Sequence, residues 1–144
     1  MKLPEYITRD EVRRVCKDLA IRDWTALKEP AATIEEARKI LAEVNTGRMR
    51  IDEEQFRAGL DVELEHGTRF KDANVTNDHP LVTGMIVLAH MKESLDYYKL
   101  LDAAEAEGDL AAAVAEGNVE RIRKYYRKLA EARAVLSETE AKLA

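Results

Sequence analysis

Leu81-Val82-Thr83-Gly84-Met85-Ile86-Val87-Leu88-Ala89-His90-Met91-Lys92-Glu93-Ser94-Leu95-Asp96-Tyr97-Tyr98-Lys99-Leu100-Leu101 is the stretch that decides how this chain is read. At about 100° per residue, Ile86, Val87, His90, Ser94, Tyr97 and Leu101 fall opposite a solvent face marked by Lys92, Asp96 and Lys99, with Glu93 toward one flank. The spacing predicts one helix from Leu81 to about Ala106 and puts His90 mid-core. An imidazole there must find partners or incur a desolvation penalty. The apolar run from 81 to 91 is interrupted by Thr83, Gly84 and His90 and is about half the ~20 residues of a bilayer span, so it reads as a buried helix, with no membrane partner.

The preceding helix supplies a matching polar pair. Asp52 is a good N-cap, with Glu53 and Glu54 favourably placed for the dipole, and the helix should run to His66 and stop at Gly67. Phe56, Leu60, Glu63 and Leu64 share its inner face, His66 lies at the edge one turn on, and Glu54, Asp61 and Glu65 point away. Glu63-x-x-His66 and the reversed His90-x-x-Glu93 would set His against His and Glu against Glu if the two helices are antiparallel. Helical bundles use a carboxylate and an imidazole one turn apart to ligate metals, and Glu63, His66, His90 and Glu93 together would suit iron, manganese or zinc, with water at an open position.

Two geometric demands restrain that expectation. His66 ends its helix whereas His90 lies some ten residues into the next, an offset of about 13 to 15 Å at ~1.5 Å per residue, which the polar connector 68–79 must climb. A full di-iron bundle also wants further carboxylates, from Glu65, Glu105 or a second subunit. The alternative is a metal-free polar core network in which His90 pairs with Glu63 or a backbone carbonyl while Tyr97 or Tyr98 satisfies the rest. His66 then becomes a C-terminal residue favoured by the helix dipole, and metal-free acid–base chemistry is a third reading.

Elsewhere helix signals are frequent. Thr8-Arg9-Asp10-Glu11 and Thr33-Ile34-Glu35-Glu36 have capping-box form, followed by the stripes Val12, Val15, Cys16, Leu19 and Ile34, Ala37, Ile40, Leu41, Val44. Ile21 and Trp24 read as anchors, Pro30 as part of a connector, and Gly47 as a left-handed helix stop. Thr76-Asn77-Asp78 before Pro80 resembles a turn feeding a helix N-terminus. After Gly108 a short Ala-rich helix should break at Gly117-Asn118, and Asn118 should cap a long last helix. Val119, Ile122, Tyr126, Leu129 and Leu136 there have the spacing of a coiled-coil seam, interrupted by Arg133. The expected architecture is all-α, a compact bundle of about five to six helices. Residues 1–107 form a core domain with both motifs, and 108–144 a C-terminal helical extension that packs on the core or on a second copy as a homo-oligomer.

Composition agrees: 46% apolar and 35% charged residues with few Gly and Pro favour helices. A formal charge of −5 gives no overall field toward nucleic acid or anionic lipid. The basic-aromatic group Arg121, Arg123, Lys124, Tyr125, Tyr126, Arg127 and Lys128 reads first as a solvated helix face, so nucleic acid is not the expected partner. Cys16 is the lone cysteine and sits on an apolar face, favouring a core role and a reducing, cytoplasmic setting. Met1-Lys2-Leu3-Pro4-Glu5 has no apolar core of an export signal, so the sequon match Asn74-Val75-Thr76 carries no weight. No phosphate-binding glycine loop or nucleophile elbow is present.

Phe56-Arg57-Ala58-Gly59-Leu60-Asp61-Val62-Glu63-Leu64-Glu65-His66-Gly67, then Asn74-Val75-Thr76-Asn77-Asp78, Thr83-Gly84, Leu88-Ala89-His90, Glu93 and Asp96-Tyr97-Tyr98, resembles a family of small, uncharacterised helical bacterial and phage proteins. The resemblance covers roughly residues 50–101, more loosely the first helix, and implies no activity. His79 stands where that pattern tends to have another acid, and Met85 where it tends to have Lys.

Overall fold

Helix caps written in the sequence set the architecture. A computed structural model describes residues 7–142, and in them six α-helices follow one another: α1 (Arg9–Asp18), α2 (Ile34–Val44), α3 (Glu53–Arg69), α4 (Pro80–Glu93), α5 (Tyr97–Ala115) and α6 (Val119–Ala141), with a 3-10 turn at Trp24–Ala26. No strand occurs among the described residues, so the all-α expectation holds. The chain divides into two compact units, Met1–Leu95 and Asp96–Ala144. The opening segment Met1 to Glu5, read as lacking an export core, lies outside the described residues.

In the first unit the Thr8 hydroxyl accepts from the Glu11 N–H, but the Glu11 carboxylate turns to Arg14 instead of closing a reciprocal box. At α2 the box is complete: Thr33 Oγ1 accepts from Glu36 N and Glu36 Oε2 from Thr33 N. Asp52 caps α3 by accepting from Gln55 N at 2.9 Å. Val12, Val15 and Cys16 of α1, Trp24, Ala37 and Ile40 of α2, Phe56, Leu60 and Leu64 of α3, and Val87, Leu88 and Met91 of α4 are buried together. Cys16 is part of this core, where burial pushes its thiol up. A Cβ on Gly84 would run into Ile40 Cγ2, so its absence lets the α4 backbone lie directly on α2.

Three expectations about element limits change. The helix begun at Pro80 ends at Glu93, because Ser94 turns extended (φ −154°, ψ 130°), and α5 starts afresh at Tyr97. Ser and Asp side chains compete for backbone partners and favour such breaks, which the apolar Leu95, Tyr97 and Leu101 hide in a wheel. The buried stripe of α4 is therefore Pro80, Thr83, Gly84, Val87, Leu88 and Met91, and His90 lies at its edge, 30% exposed, not mid-core. A wheel continued to Leu101 had rotated the apolar axis toward Ile86, His90 and Tyr97.

Secondly, α3 runs past Gly67 to Arg69. Gly67 is buried within the helix, where a Cβ would collide with Asp78 Oδ1 and come 2.7 Å from Asn74 Nδ2; it serves close approach, not termination. Thirdly, α5 crosses Gly108 without a break and ends at Ala115. Gly47 is likewise not the left-handed stop after α2: Arg48 takes φ 52°, while Asn45 brackets Met49 by accepting from its N–H and donating to its carbonyl.

The second unit is a helical hairpin. Gly117 at φ 67° turns the chain, and Asn118 caps α6 by accepting from Arg121 N at 3.1 Å, as the sequence indicated. Tyr98, Ala106 and Ala113 of α5 are buried, as are Leu129 and Ala132 of α6. The sheltered uncharged positions on α6 are Ile122, Tyr125, Leu129, Ala132, Leu136 and Thr139, a three-four alternation, with the charged Arg121 and Lys128 half-buried beside them. Half of it, Ile122, Leu129 and Leu136, is the seam read from sequence; the other half shifts by one residue. Ala132 turns in where Arg133 had interrupted the pattern, and Val119 and Tyr126 are left exposed. The shift puts the small Ala132, not the charged Arg133, on the buried side of the hairpin.

Candidate functional site

Glu63 is the hub of the residues singled out by sequence. It projects from α3 with its side chain 12% exposed, its Oε2 3.5 Å from His66 Nδ1 one turn along and its Oε1 3.7 Å from His90 Nε2 on α4. The connector after α3 thus makes the climb that the offset required. His66 is 60% exposed at the rim of this group. Glu93, in the last turn of α4, is exposed and stands outside it. Among the described residues no set of three or more His, Cys, Asp and Glu side chains is arranged to hold a metal ion.

Both of these separations exceed the 2.7–3.2 Å of a good N–H···O bond, and the two pairs are charged only when the imidazoles are protonated. The carboxylate thereby links the interior of α3 to the last turn of α4. Asp61, expected to face solvent, instead accepts from Ala32 N at 2.7 Å and from Arg57 at 2.6 Å, fastening the chain before α2 to α3.

A second constellation escaped the sequence reading. The segment after α3 folds on itself: Thr76 Oγ1 accepts from Asp78 N and donates to Asn74 Oδ1, while Asn74 Nδ2 donates to Gly67 O and Asp78 Oδ1. Asn77 and Asp78 take left-handed φ values of 48° and 58°, which these residue types tolerate best after glycine, and Asn77 Nδ2 reaches back to Ile7 O at 2.5 Å. Burial pushes the Asp78 carboxyl up, with the Asn74 bond and the Arg9 charge acting against it. His79 then caps α4, its Nδ1 accepting from Val82 N at 3.3 Å, which is why an acid could fill the same position. Gly67, Asn74, Asn77 and Asp78 border a cleft of about 500 Å³ together with Arg9, Lys28 and Lys71. The signal was the run Asn74-Val75-Thr76-Asn77-Asp78, whose sequence suggests a turn, a discounted sequon and part of the family resemblance but no binding site.

On α6 the basic-aromatic face is largely balanced locally. Arg121 pairs with Glu116, Arg123 with Glu120 at 3.6 Å, and Lys128 with Asp102 at 3.0 Å. None of the described helices is long and apolar enough to cross a membrane. The family described as "Protein of unknown function (DUF5661)" matches residues 12–107, a span that holds both the Glu63 group and the loop around Asp78. No curated protein and no solved structure matches the chain.

Proposed function

This chain belongs to the DUF5661 family of proteins of unknown function, and from that premise we propose that it is a non-enzymatic helical interaction module whose Glu63–His90 pair is a structural polar network. The observation that carries this reading is the shape of the Glu63 group: one sheltered carboxylate serving two imidazoles, with Glu93 outside it and no three-member ligand set among the described residues. Such a pair fixes how α3 meets α4. Replacing His90 by Ala should lower the melting temperature by a few degrees, as expected for loss of about 1 kcal/mol in a domain of this size, whatever chelator is present. An unchanged melting temperature would remove the structural role.

The interaction partner in this reading is a second copy, met through the C-terminal helix. Val119 and Tyr126, two turns apart on one face of α6, are exposed in the single chain and supply the contact. Sedimentation should show concentration-dependent self-association that Tyr126→Glu abolishes; a monomer at every concentration would remove the assembly role.

Transition-metal binding is the second reading, favoured by the spacing around Glu63. Two donors each ~2.1 Å from a tetrahedral ion lie about 3.4 Å apart, close to the 3.5 and 3.7 Å separations found. Iron, manganese or zinc would be held by Glu63 and His90, with the exposed His66 swinging onto the ion and Glu93 or water completing the set. Metal analysis of protein purified without an affinity tag separates the readings. Near-stoichiometric metal that is lost in His90→Ala establishes the second; none leaves the structural pair.

A further inference from the structure

We propose that the cleft bordered by the Asp78 loop is a binding site for a small organic anion, phosphorylated or polycarboxylate, carrying at least one hydroxyl group. The site is independent of the Glu63 network and shares no residue with it.

Size is the first argument. At about 500 Å³ the cleft falls within the range of roughly 300–1,000 Å³ typical of small-molecule sites, and is too large for a lone inorganic ion to fill. Charge is the second. The chain as a whole is net −5, yet Arg9, Lys28 and Lys71 line this cleft against the single carboxylate of Asp78. A local surplus of cations on an acidic protein focuses an anion on one place.

Organisation is the third. Arg9, the first residue of α1, is held at the rim by donating from Nη2 to Thr25 O at 2.6 Å, and its planar guanidinium presents further donors in the fork geometry that suits phosphate and carboxylate. Lys28 follows the 3-10 turn and Lys71 follows α3, so two exposed, flexible cations can close on the ligand from separate parts of the chain. The opposite wall is rigid. Gly67 admits Asp78 against α3, and Asn74 and Asn77 are fixed by their bonds to Gly67 O and Ile7 O. Asp78 is then the acceptor for a ligand hydroxyl, which gives the acidic group a use within a cationic site. Preorganised polar groups of this kind lower the ordering cost of binding.

Trp24, the only tryptophan in the chain, lines the same cleft and reports on its occupancy. The full chain is titrated at low ionic strength with inorganic phosphate, ribose 5-phosphate, citrate and uncharged ribose, following Trp24 fluorescence and thermal unfolding. Saturable binding of ribose 5-phosphate or of citrate is expected, with none for ribose; which of the two anions binds tighter assigns the phosphate or the carboxylate class. The double variant Lys28→Gln, Lys71→Gln should bind at least about tenfold more weakly, the equivalent of one lost charge-assisted contact. Lys17→Gln, exposed on α1 outside the cleft, should bind as the parent does, and circular dichroism checks that each variant is folded. No saturable response to any of these anions up to about 1 mM, the weak limit of a specific site, would overturn the proposal. So would equal affinity in the double lysine variant, or responses to ribose 5-phosphate and to citrate that are both no different from that to ribose.

Discussion

A carboxylate only 3% exposed, Glu36, stays ionised because five donors reach it: Arg22 through N, Nε and Nη2, the Trp24 indole, and the Thr33 amide. Burial alone would raise its pKa, but these bonds and the Arg22 charge outweigh it and hold the group at about 2, below its ordinary 4.5. A folded pKa below the unfolded one stabilises the protein above pH 4.5, and that stability is lost as the pH falls from 4.5 toward 2. The shift corresponds to about 3 kcal/mol at neutral pH at ~1.4 kcal/mol per unit. Denaturant unfolding between pH 6 and 2.5 should show this loss in the parent, and a flatter profile from a lower starting stability in Glu36→Gln. His79 moves the same way: burial lowers its pKa below the ordinary 6.5, so its stabilising contribution is present above that value and declines as the pH falls through it. His79→Asn retains an acceptor for Val82 N but cannot titrate, and its stability should fall less than the parent's as the pH drops from 7 to 5.

Two helix glycines behave oppositely, and only the surroundings tell them apart. Gly108 lies exposed inside α5 with nothing within 4 Å of an added Cβ, so Gly108→Ala should stabilise by about 0.5–1 kcal/mol through the lost freedom of the unfolded chain. In α3 the same change at Gly67 drives a Cβ into Asp78 and should cost about 1–3 kcal/mol by overpacking; chemical denaturation of the two variants measures both signs. The contrast also explains what the sequence could convey about elements. Caps at Thr33, Asp52 and Asn118 are local chemistry and announce α2, α3 and α6 directly. The end of α4 does not announce itself, since Leu95, Tyr97 and Leu101 prolong the apolar pattern across the Ser94 break. Both glycines read as stops because a sequence shows glycine's freedom but not what packs against its missing side chain. Glu63 was legible as inward-facing from its place beside Leu60 and Leu64. The cleft was not, because Arg9, Lys28 and Lys71 are far apart in sequence and only the folded loop brings them to Asp78.

For the molecule as a whole, the two units put different kinds of core to use. Met1–Leu95 packs large side chains such as Trp24, Phe56 and Leu64 around four helices, whereas Asp96–Ala144 is a hairpin with alanines at Ala106, Ala113 and Ala132. Both sequence motifs fall in the first unit, and there the α3 to α4 connection carries the consequence: one loop brings His90 to Glu63 and also builds the wall of the cleft. The claim that Glu63 and His90 form a structural pair without metal is tested most directly by a double-mutant cycle of Glu63→Gln and His90→Gln, with unfolding free energies measured in a strong chelator. A coupling of about 0.5–1 kcal/mol, the size expected for contacting residues, is the predicted result. Additivity within about 0.3 kcal/mol in chelator, with coupling restored by iron, manganese or zinc, would contradict it and assign the pair to a metal site.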